Sequence, residues 1–152
     1  MNIIAIVLMI LLPGWLFSQT KMKQKKSINT VKLSAGTAIV AEANQDLSSE
    51  TTTVGNIVSF KMHDNLILSQ KTVIAKDAMV FGKIRTIRKT TYNRPECIQI
   101  ELQMIKAIDG QMINLYGGYI EVLAESPGMN AKMEKGKLGI AYVQDTIIIQ
   151  VY

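Results

Sequence analysis

At 152 residues the chain fits one domain and is long enough to bury a core without staples. Its single cysteine, Cys97, excludes an internal disulfide, so an oxidising compartment is tolerated and not exploited. The net charge of +5 invites a nucleic-acid reading, but Lys21, Lys23, Lys25 and Lys26 supply most of it and the remainder is nearly neutral.

The chain opens on an export signal. The apolar run 3–12 is followed by the turn-forming Pro13-Gly14 and the small Ser18, which places the cut between Ser18 and Gln19 and assigns 1–18 to a helical signal peptide. The alternative is an uncleaved anchor. No lysine or arginine stands near Met1, Leu16 is large where a small residue is preferred, and the four following lysines would hold the C-terminal side in the cytoplasm. Against the anchor, a spanning helix wants roughly 20 apolar residues, and Pro13-Gly14 interrupts a run already shorter than that. No cysteine follows the signal, which argues against a lipid-anchored lipoprotein. Residues 19–30 form a basic linker, read as a solvated segment that helps terminate the signal; the alternative is contact of Lys21, Lys23, Lys25 and Lys26 with anionic head groups at roughly 1 kcal/mol per charge.

From residue 31 to 152 short apolar and β-branched runs alternate with turn-formers, which predicts a single all-β domain. The expected strands are 31–33, 37–43, 57–62, 66–68, 72–74, 79–88, 97–108, 111–123 and 141–151. Turns fall at 44–46, 63–65, 91–95 and 126–128. One short helix is expected at 129–135, stopped by Gly136 in the left-handed conformation that closes helices. The apolar end 146–152 is expected to close a barrel, with association through an open edge as the alternative.

Asp109-Gly110 predicts a two-residue hairpin loop, with Ile108 opposite Gln111 and Met104 opposite Leu115. The first strand alternates cleanly, but Ile113 and Leu115 have one parity while Ile120 and Val122 have the other. One extra residue at Gly117 and Gly118 reconciles them, placing Ile100 opposite Ile120 and Ile98 opposite Val122. A β-bulge is therefore expected there, and it points to a barrel or a strongly coiled antiparallel sheet. A weak echo relates 33–40 to 74–81: an apolar residue, a tight turn around Gly36 or Asp77, then a longer strand.

The succession Leu33-Ser34-Ala35-Gly36-Thr37, Asn44-Gln45-Asp46-Leu47-Ser48-Ser49, Val54-Gly55-Asn56-Ile57, Val73-Ile74-Ala75-Lys76-Asp77-Ala78, then the late Asp109-Gly110 hairpin, resembles small exported β-barrel domains of bacterial envelope proteins. More distantly, its order is similar to the β-barrel region of the outer-membrane-core subunit of conjugation-type (type IV) secretion channels. The resemblance covers roughly residues 31–122. Ser34 and Ala75 stand where those domains usually have proline, and Asp77 where they have glycine. The resemblance implies an envelope role on a barrel scaffold.

No catalytic constellation is legible. The acidic residues sit mostly at turns, where they accept backbone hydrogen bonds. His63 lacks further zinc ligands, no serine stands in a nucleophile elbow, and Cys97 has no nearby base. Arg85, Arg88, Lys89 and Arg94 form a basic cluster without interleaved aromatics, so nucleic-acid binding is not expected. The reading is a non-enzyme without cofactor or metal: an exported envelope module, periplasmic or secreted, that binds or assembles with an envelope protein. The alternative is a small-molecule binder with its ligand in the barrel mouth against Tyr92, Tyr116 or Tyr119.

Overall fold

The computed structural model describes residues 28–152. The leader, the Ser18/Gln19 junction and the four lysines of the linker lie outside the described residues. Twelve strands follow in order: β1 (Asn29–Leu33), β2 (Ala38–Ala43), β3 (Leu47–Ser48), β4 (Ile57–Met62), β5 (Leu66–Leu68), β6 (Lys71–Ile74), β7 (Met79–Arg88), β8 (Cys97–Lys106), β9 (Met112–Leu123), β10 (Lys132–Met133), β11 (Leu138–Val143) and β12 (Ile147–Val151). Six of them close an antiparallel barrel in the order β11-β2-β4-β7-β8-β9, with β11 returning to pair β9. Pairs β1-β12, β3-β10 and β5-β6 form two-stranded ribbons beside it.

Period-2 alternation explains the barrel, because every second residue of its strands points inward. Ile39, Val58, Phe60, Val80, Ile84, Ile98, Ile100, Leu102 and Ile105 are almost fully buried, and at this strand number side chains fill the axis. A second layer comes from β1, β6 and β12. There Val31, Leu33, Val73, Ile74, Ile149 and Val151 are buried in the same core.

Three of these ladders are one ribbon bent twice. Asn29 faces Val151 and Leu33 faces Ile147; the same register resumes with Ala38 opposite Tyr142, Glu42 opposite Leu138, and Ser48 opposite Lys132. The bends come from a turn that recurs four times, at 34–37, 53–56, 75–78 and 134–137. In each, the fourth amide bonds the first carbonyl, and the third residue, Gly36, Gly55, Asp77 or Gly136, has positive φ. That third amide donates to a carbonyl of the adjoining strand, at Val143, Ile84, Met62 or Ala43. The same residue returns its own amide to the fourth carbonyl of the turn. In three cases the second amide is also taken by a side-chain oxygen three residues further along that strand's chain: Ala35 to Thr146, Lys76 to Asn65 and Lys135 to Asp46. Positive φ at the third position demands a residue that tolerates the left-handed region, which is why glycine or aspartate stands there.

Five expectations need correction, the last two of them in the β8–β9 hairpin. Residues 129–135 are not a helix, and Lys132–Met133 pairs instead with Ser48 and Leu47. Gly136 does adopt the left-handed conformation, but it serves a turn between strands and not a helix end. The terminal strand does not close the barrel. The run 141–151 breaks at 144–146, β11 completes the wall, and β12 pairs β1 outside it. The outer edge of β12 is blunted by the β8–β9 loop, where Asp109 accepts the Gln150 amide at 2.9 Å and Gln111 Nε2 donates to the Ile148 carbonyl at 3.0 Å.

The β8–β9 loop itself has three residues, not two. Ala107 bonds the carbonyl of Gln111, the Gly110 amide bonds the Ala107 carbonyl, and Gly110 takes positive φ. This is a turn followed by a glycine bulge, a different use of the same Asp-Gly pair. Met104 consequently faces Asn114, not Leu115. Further along, Leu102 faces Gly118, Ile100 faces Ile120 and Ile98 faces Val122, so 115–117 lie across from Gln103 alone. The strand therefore bulges by two residues where one was expected. Gly118 is needed at the inner side of this bulge: a Cβ there would meet the Ala141 Cβ at 2.4 Å and Leu102 Cβ at 3.0 Å.

Candidate protein-interaction surface

Strand β11, Leu138-Gly139-Ile140-Ala141-Tyr142-Val143, has no polar side chain on either face. Gly139, Ala141 and Val143 point into the core, whereas Leu138, Ile140 and Tyr142 point out and are 47%, 52% and 40% exposed. A strand with one wet face ordinarily carries polar residues there, and apolar residues on both faces are the pattern of a strand covered on both sides.

The neighbours extend this outer surface. Tyr142 faces Tyr116 of β9, and their rings lie 5.8 Å apart between centroids at 42°. The bulge presents Tyr116, because the slip between Asn114 and Gly118 keeps Tyr116 outside while Leu115 stays in the core. On the other side, Ile140 pairs with the half-buried Val40 of β2. Tyr119 and Leu123 continue the outer face of β9.

Charged groups border the apolar strip. Glu42, opposite Leu138, accepts from His63 Nδ1 at 2.9 Å and lies 3.6 Å from Lys61 Nζ, which also reaches Asp77 at 3.3 Å. The His63 hydrogen bond, against some desolvation and with Lys61 assisting, holds the Glu42 carboxyl below the usual glutamate range. Asp77 and Glu42 hold the Lys61 ammonium above the ordinary lysine value. Beside the bulge, Glu101 is bound by Arg85, by Gln103 at 3.2 Å and by the Tyr119 hydroxyl at 3.2 Å. Burial works to raise its pKa, but these donors outweigh it and the net direction is down. An apolar centre with a charged rim is the composition of a protein–protein contact.

The tyrosines do not converge on a barrel mouth. Tyr116 and Tyr119 lie on the outer wall, and Tyr92 is 98% exposed in the loop between β7 and β8. Within the basic cluster Arg85 is paired with Glu101, and Lys89 with Glu96 at 2.7 Å. Glu96 is almost fully buried; Lys89 first and Ser49 second hold it below the glutamate range against desolvation. Ser49 also accepts the Ala131 amide at 3.0 Å, so its hydroxyl ties three loops together. Burial pushes the Cys97 thiol up, which keeps it protonated and unreactive. Among the described residues no three His, Cys, Asp or Glu side chains gather as a metal site requires.

Leu138 and Ile140, the centre of the strip, escaped sequence reasoning, which began the strand at residue 141. The signal was present, because 138–143 is apolar at every position and not at alternate ones.

No protein-family model matches the chain, and no curated protein matches it.

Proposed function

We propose that this chain is a non-catalytic, exported cell-envelope domain, periplasmic or secreted, that acts as a binding or assembly module. An envelope protein docks on the outer face of β11 and β9, over Leu138, Ile140, Tyr142 and Tyr116. The observation that carries this reading is the outward apolar row of β11, which water would otherwise meet. Tyrosines at its edge supply flat contact area and a hydroxyl for the wet rim. The leader supports the address: a run of apolar residues, a break and a small residue before Gln19 direct export and removal of 1–18.

The test is co-purification from envelope fractions of the unaltered chain and of Ile140→Asp and Tyr142→Asp. Both variants are expected to fold, because these side chains leave the core untouched, and to lose the partner. Retention of the same partner by both would overturn the reading. The address is tested separately by intact mass, which is expected to begin at Gln19; a mass that retains Met1 to Ser18 would reject cleavage.

A further inference from the structure

A groove of about 760 Å³ runs between the end of β9 and the segment that carries β10, lined by Glu121 to Glu125 on one wall and 128–137 on the other. The edge of β9 borders it, and β10 approaches β9 within 8 Å, so an added strand fits along one edge and not between the two. The Ala124 amide bonds the Glu96 carbonyl, so even-numbered residues at this end of β9 spend their backbone groups on β8. By the antiparallel pattern, Leu123 turns its N–H and C=O the other way, toward the groove. The ladder of β9 with β11 covers Leu115 and Tyr116 and does not reach Leu123. On the opposite wall the Ser49 amide bonds the Ala131 carbonyl and Met133 faces Leu47, so Lys132 is the residue whose backbone turns away from β3.

We propose that this groove accepts an extended peptide segment of a partner protein, added as a strand to the open edge of β9 at Leu123. The chemistry on the page selects that occupant. Peptide backbone repeats donors and acceptors at the spacing of a strand edge, a match that an acyl chain lacks. Leu123 and Met129, 53% and 50% exposed, offer apolar seats for one face of the segment. The walls differ in charge, Glu121 and Glu125 on the β9 side against Lys132, Lys135 and Lys137 on the other, where Glu134 offsets one of the three lysines. A segment with a cation toward β9 and a carboxylate toward the lysines fits them. This site adjoins the outer face of β9 at Leu123 but does not include Leu138, Ile140 or Tyr142 of β11.

The probe is a displayed library of random heptapeptides selected on the purified protein. Enriched peptides are expected to alternate an apolar residue with charged ones and to slow hydrogen exchange at the Leu123 amide. Leu123→Pro removes the groove-facing donor but spares the β8 ladder, in which the Leu123 amide takes no part, and is expected to weaken binding about tenfold. Met129→Glu, a surface change that leaves both ladders intact, is expected to weaken it as well, while Tyr142→Asp leaves it unchanged. No enrichment, protection centred on Tyr116 and Tyr142, a Leu123 amide already slow in the free protein, or full binding by both groove variants would each overturn the proposal. Loss of the envelope partner by Tyr142→Asp with heptapeptide binding intact would separate the two surfaces.

Discussion

In the ladder of β2 with β11, a turn at 34–37 closes one end and a turn at 134–137 the other; in the ladder of β4 with β7, the turns at 53–56 and 75–78 do the same. The inward residues of both ladders are small or aliphatic, apart from Phe60 and Met62. Their outward residues differ. The β4–β7 wall mixes Ser59, Lys61 and Lys83 with Ile57, Met79 and the half-buried Phe81, whereas β11 shows only Leu138, Ile140 and Tyr142. One backbone device thus builds two walls, and the outer side chains decide how apolar each wall is toward solvent.

The comparison breaks most severely where the two halves close on each other. Gly118→Ala puts a methyl against Ala141 and the β11 backbone, and overpacking of this kind costs roughly 1–3 kcal/mol, to be read from urea unfolding. Next come the turns. Gly136→Ala forces an alanine to positive φ and is expected to cost about 1–2 kcal/mol, and Gly36→Ala a similar amount, if the two ends of the β2–β11 ladder are equivalent. The side chains that hold the turns are worth less. Asn65→Ala and Thr146→Val each orphan one turn amide, for about 1 kcal/mol each in thermal or chemical unfolding.

Ile140→Asp and Tyr142→Asp sharpen the comparison from the other side. They are expected to cost no more than about 1 kcal/mol each, from the poor fit of aspartate to a strand and, for Tyr142, the lost contact with the Tyr116 ring, since both side chains stand outside the core.

The smallest effect is pH dependence at the blunted edge of β12. Burial raises the Asp109 pKa, but the Gln150 amide and the Gln111 side chain and amide more than offset this, so the folded value lies below the unfolded one. A depressed carboxylate contributes stability that is fully present above its unfolded pKa of about 3.9 and is lost as pH falls through the folded value. Asp109→Asn should therefore lower stability slightly at neutral pH and flatten its decline below about pH 4, measured as urea midpoints across pH.

Much of the barrel was legible, because alternation is a local signal and turn-formers bracket it. The errors came where one local signal serves two structures. Gly136 at positive φ suits a helix end as well as a strand turn, and only the distant pairing of Met133 with Leu47 chooses between them. Asp109-Gly110 suits two loop lengths, and the choice shifts register by one. The β5–β6 turn left no signal at all: Ser69 and Gln70 both adopt positive φ without a glycine or asparagine. The outer strip was hidden for a further reason. Its unbroken apolar run is visible in the sequence, but that its outer half stays exposed depends on knowing that β11, not the end of the chain, completes the wall.

Because Asn29 and Val151 are direct neighbours at the start of the bent ribbon, a load applied across them would fall on one rung at a time. Such a geometry peels like tape and resists little, so the barrel is poorly suited to transmitting tension between residues 29 and 151.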